Sequence, residues 1–63
     1  MSDPRSIRDV AIELLRDAAV AATRAVDQAL AGDVDLCRDL AVTAHVRIRC
    51  ARRLLKAESR DRR

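Results

Sequence analysis

Ala29-Leu30-Ala31-Gly32-Asp33-Val34-Asp35-Leu36 decides the fold, because it holds the one glycine of a 63-residue chain. Apolar residues recur at helical spacing on both sides of it. The pattern predicts a first helix over about 4–31, a turn at 31–33 and a second helix over about 34–59. Glycine takes the left-handed conformation that ends a helix, and an aspartate such as Asp33 caps the next one. At 1.5 Å per residue each arm is about 40 Å long. Two rods joined so briefly must lie antiparallel. The expected fold is therefore all-α, a two-helix antiparallel hairpin forming one domain over 1–63.

Working outward, Ser2 or Asp3 reads as the N-cap of the first helix, with Pro4 at its first position. Asp9 adds a carboxylate near the positive end of the helix dipole. The tail Arg60-Asp61-Arg62-Arg63 is expected to fray.

A lone hairpin of this length buries little. Below about 70–80 residues one core rarely supplies more than about 3–5 kcal/mol. The chain has no aromatic residue, so the core is built from Ala, Val, Ile, Leu and Cys. On helix 1 the apolar positions from Ile7 to Leu30 sweep roughly 200°, where one neighbouring helix needs little more than about 100°. The opposite face carries Asp9, Glu13, Arg16, Asp17, Arg24 and Asp27, with Val20 among them. On helix 2 Leu36, Cys37, Leu40, Ala41, Ala44, Ile48, Ala51, Leu54 and Leu55 form the main face. Val42, Val46, Cys50 and Ala57 form a side strip.

This surplus predicts a partner. The favoured form is a homodimer, two hairpins making a four-helix bundle, with docking onto a larger protein as the other form. Ala18, Ala22 and Ala25, with Val42, Val46 and Cys50, are the expected contact residues. Small side chains also predict a tight seam around Ala18, Ala22, Ala25 and Ala29. Heptads counted from Ile7 put Asp17 and Arg24 in the core, which argues against a long regular coiled coil.

Charge is uneven. Residues 1–31 hold four arginines against five acids; residues 32–63 hold nine cations against five. Arg38, His45, Arg49, Arg52 and Lys56 fall within about 60° of one another on helix 2, and Arg53 flanks them. The ridge is either a solvated face or an anion-binding one, for a nucleic-acid backbone or an acidic protein surface. With no aromatic base-stacking residue, nucleic-acid contact would be mainly with phosphate. Membrane binding ranks lower, because no Trp or Phe is present to anchor in lipid.

Cys37 and Cys50 are thirteen residues apart on one helix, about 20 Å along its axis, too far for a disulfide within the chain. Cys37 reads as a core filler. Cys50 is the candidate for a reactive or cross-linking thiol. No secretory or membrane-spanning run is visible, so a cytoplasmic protein with reduced thiols is expected. His45 shares a face with neither cysteine, and no nucleophile–base pair or phosphate loop is present. No enzyme activity, metal or cofactor is expected. The stretch Ala25–Leu40 is faintly similar to the hairpin of PhoU-like phosphate-signalling regulators. Where their metal sites require acidic residues this chain has Ala44 and His45, so the similarity implies no metal site here.

Overall fold

The computed structural model describes residues 6–61. Two helices, α1 (Ile7–Ala31) and α2 (Val34–Asp61), pack against each other as an antiparallel hairpin. Their ends are set by local chemistry. Ser6 has extended backbone, and its hydroxyl accepts the Asp9 N–H at 3.0 Å. This is an N-cap on the third helical residue, and it starts α1 three residues after Pro4. The expected cap at Ser2 or Asp3 lies outside the described residues.

At the turn Gly32 has φ +90°. Its N–H reaches the Ala29 carbonyl at 3.1 Å, and the Asp33 N–H reaches the Gln28 carbonyl at 2.9 Å. These two bonds satisfy carbonyls that the helix end would leave open. The Asp33 carboxylate then accepts the Leu36 N–H at 3.1 Å, and its carbonyl takes the Cys37 N–H at 3.0 Å. Asp33 thus closes α1 and opens α2. Asp33→Ala should cost about 1 kcal/mol, read as a lower midpoint in urea unfolding, and Asp33→Asn should recover most of it. At the far end α2 continues through Arg60 to Asp61, past the expected end at 58–59. Cations in a last turn are favourable against the dipole, so Arg60 extends the helix. Arg62 and Arg63 lie outside the described residues.

The seam is made of alanine. Ala11, Ala18, Ala21 and Ala25 of α1 meet Ala44 and Ala51 of α2, and no larger described side chain is buried. Leu14 and Gln28 on α1 are half-buried, as are Cys37, Leu40, Arg47, Leu54 and Glu58 on α2. Both sets step by three and four residues: Ala11-Leu14-Ala18-Ala21-Ala25-Gln28 and Cys37-Leu40-Ala44-Arg47-Ala51-Leu54-Glu58. This is a heptad seam with alanine seven residues apart at 11, 18 and 25 and at 44 and 51, the arrangement that lets helices approach closely. It corrects two expectations. A heptad pattern does fit the seam once the column 7-14-21-28 is paired with Ala11, Ala18 and Ala25 rather than with Asp17 and Arg24, which stay outside the core as the polar face predicts. Ala22 and Ala29 are exposed, because each follows a seam position by one residue and is turned about 100° away from α2. Among the described residues no helix is long and apolar enough to cross a membrane.

Candidate interaction surface

Helix handedness sorts the remaining side chains. A step of one residue beyond a seam position turns the side chain about 100° around its helix. Because α2 runs opposite to α1, that step carries both helices' side chains to the same side of the hairpin. One broad face therefore collects Ile12, Leu15, Ala19, Ala22, Val26 and Ala29 from α1. From α2 it receives Ala41, Ile48 and Leu55 beside the seam and Arg38, His45 and Arg52 along the outer edge. The groove shared by Arg8 and Leu55 lies on this side. A step of one residue before the seam gives the reverse face: Val10, Glu13, Asp17, Val20, Arg24 and Asp27 opposite Leu36, Asp39, Thr43, Val46, Cys50, Arg53 and Ala57. The Arg47–Asp17 ion pair at 3.8 Å and the groove joining Asp17, Val20 and Arg24 to Thr43 fix that side.

The two faces differ in kind. On the first, every α1 position from Ile12 to Ala29 is apolar. Ile12, Leu15, Val26, Ile48 and Leu55 all remain exposed there, with Val26 at 58%. The reverse face is mixed: on α1 it sets Glu13, Asp17, Arg24 and Asp27 beside Val10 and Val20, and on α2 it sets Asp39, Thr43 and Arg53 beside Leu36, Val46 and Cys50. Half-buried Arg47 lays its aliphatic stem along the seam and places its guanidinium beside Asp17.

The expected contact residues do not form one surface. Ala18 and Ala25 are consumed by the seam, at 2% and 8% exposed. A partner cannot reach them, because α2 already covers them. Ala22 sits on the apolar face. Val42, Val46 and Cys50 stay together, lining one groove with Leu14 on the reverse face, apart from Ala22. Ile48 and Leu55, expected in the core, are instead exposed beside Ala41 on the apolar face, and Ile12 completes it. The alanines at 11, 18, 25, 44 and 51 carry the signal that locates this face, since they mark the seam from which it is counted.

The basic ridge stays together. Arg49, Arg52, Arg53 and Lys56 line one shallow groove with Leu55, and none of the four makes an ion pair among the described residues. Arg38 reaches Asp35 at 4.0 Å across exposed surface, and His45 is exposed between them. Cys37 and Cys50 are free thiols, the first half-buried in the seam and the second exposed. Among the described residues no group of three or more His, Cys, Asp or Glu side chains comes together. In comparisons with protein-family models, curated proteins and solved structures, nothing matches this chain.

Proposed function

We propose that this chain is a non-enzymatic helical interaction module, a small adaptor, regulator or assembly subunit that works through homo-oligomerisation or helix docking. The observation that carries this reading is the uncovered apolar face. A compact monomer of 7.0 kDa exposes about 4,000 Å². This chain exposes 5290 Å², roughly 1,200 Å² beyond that scaling. What it does bury is cheap: an alanine methyl contributes about 0.8 kcal/mol, a buried leucine about 1.5–3. Solution mass, together with melting at two protein concentrations, tests the reading. A multimer, or a single chain that is largely unfolded until a partner is added, supports it. A single chain that melts cooperatively at a concentration-independent temperature overturns it.

The unpaired groove of Arg49, Arg52, Arg53 and Lys56 favours a second reading, a small nucleic-acid-binding protein that contacts phosphates, with Arg38 extending the site. Filter binding at low and high salt separates the two. Phosphate contacts weaken steeply as salt rises, whereas an apolar protein contact hardly changes. Under this second reading Arg49→Glu with Arg52→Glu should lower nucleic-acid affinity by about a hundredfold or more at low salt. Unchanged affinity would remove it.

A further inference from the structure

We infer that the partner on the apolar face is a second copy of this chain, docked face to face through Leu15, Ala22, Ala41, Ile48 and Leu55, with the two-fold axis parallel to the helices. The inference rests on the interaction-module reading and specifies its occupant.

Area is the first argument. The face is about 37 Å long, the length of α1, and two helices wide, about 20 Å. Each copy would cover roughly 750 Å², and a stable specific pair needs about 800 Å² per partner. A second copy presents a face of identical length and width, so the whole stripe is covered with no overhang.

Charge chooses the axis. The α2 half of the chain has nine cations against five acids, and the α1 half four against five. Turning one copy about an axis across the helices would stack α2 on α2 and set Arg38, His45 and Arg52 against their own counterparts. Turning it about an axis along the helices places each α2 over the partner's α1 and the two α2 helices on the diagonal. Every neighbour in the resulting bundle is antiparallel, and like charges are as far apart as four helices allow.

Symmetry then fixes the register. A rotation about an axis along the helices cannot slide one chain lengthwise past the other. Levels within the hairpin therefore carry over to the pair. Asp17 lies level with Arg47, which places Ile12 level with Arg52 at the same sum of residue numbers. Within one chain these two sit on opposite outer edges of the face. Between copies the geometry brings the Ile12 edge of one against the Arg52 edge of the other.

The test uses the full chain with Cys37→Ala and Cys50→Ser. Copies carrying Ile12→Cys are mixed with copies carrying Arg52→Cys and mildly oxidised. Disulfide-linked pairs should form in the mixture in preference to either variant alone. Sedimentation equilibrium of the native chain should give twice 7.0 kDa. Ile48→Glu should weaken pairing by about a hundredfold or more, since each substitution enters a two-fold interface twice. Val46→Glu, on the reverse face, should leave it unchanged. A double mass without the mixed disulfide overturns the arrangement, as does dissociation by Val46→Glu but not by Ile48→Glu. A single-chain mass overturns the second copy altogether. Melting then shows whether the interaction reading falls with it: a stable monomer removes both, an unfolded one only this proposal. The disulfide readout does not depend on how Ile48→Glu folds.

Discussion

Ala18→Leu is expected to open the hairpin. Ala18 is 2% exposed and clusters with Ala21 and Ala44 at the middle of the seam. A leucine there has no void to fill. It must push α2 outward, from the lower toward the upper end of the roughly 8–10 Å range of helix separations. The helices are stiff rods, so the displacement also loosens the packing around buried Ala11, Ala25 and Ala51. Overpacking typically costs about 1–3 kcal/mol, and here it draws on a total of about 3–5. The thermal midpoint should fall by about 10–20 °C, measured by helical circular dichroism. Thr23→Leu is the control. Thr23 is exposed, and its hydroxyl only bonds back to the Ala19 carbonyl at 2.9 Å. If both variants melt alike, the alanine seam does not hold the hairpin together.

Gly32→Val should have the next largest effect. Nothing lies within 4 Å of the place a Cβ would occupy, so the penalty comes from the backbone alone. At φ +90° an L residue is strained by about 1–2 kcal/mol, and a β-branched one by more. The valine chain must either keep this strain or abandon the bonds from Gly32 and Asp33 to Ala29 and Gln28. A midpoint drop of about 10 °C is expected, with Gly32→Asn recovering part of it because asparagine tolerates the left-handed region. Equal melting of all three would mean that the turn does not require this conformation.

These results bear on how much was legible beforehand. The two helices and their joint follow from Gly32 and Asp33, because few other residues can end one helix and cap the next in a single step. The start of α1 was harder. Ser2-Asp3-Pro4 and Ser6-x-x-Asp9 are both good capping chemistry, and composition alone does not rank them. The structure uses Ser6, whose hydroxyl reaches the third helical N–H.

That Ala18 and Ala25 face α2 is not legible in the sequence, for a physical reason. A helix with apolar residues over roughly 200° contains several sectors of equal hydropathy, and the one facing its sister is set by side-chain size. Ile7 shares its column with the seam residues Leu14, Ala21 and Gln28, but hydropathy does not single out Ala11, Ala18 and Ala25 as the column beside it. The close approach is governed by the smallest side chains, at 11, 18, 25, 44 and 51. Hydropathy alone therefore does not say that Ile48 and Leu55 stay exposed while Ala18 and Ala25 are covered. The sorting of Ala22 and Cys50 onto opposite sides also depends on chain direction. It needs the handedness of both helices together and is invisible in either strip alone.

The two-residue junction of Gly32 and Asp33 has one more consequence. It acts as a keyed joint between two shafts. An inserted residue would turn α2 by about 100° and advance it by about 1.5 Å, bringing Thr43 and Cys50 round to where the methyl groups of Ala44 and Ala51 now mesh. A chain whose mating surfaces are this shallow has no large side chain to restore alignment after such a slip. The rotational timing of the molecule is held at its narrowest point, in one carboxylate and one glycine.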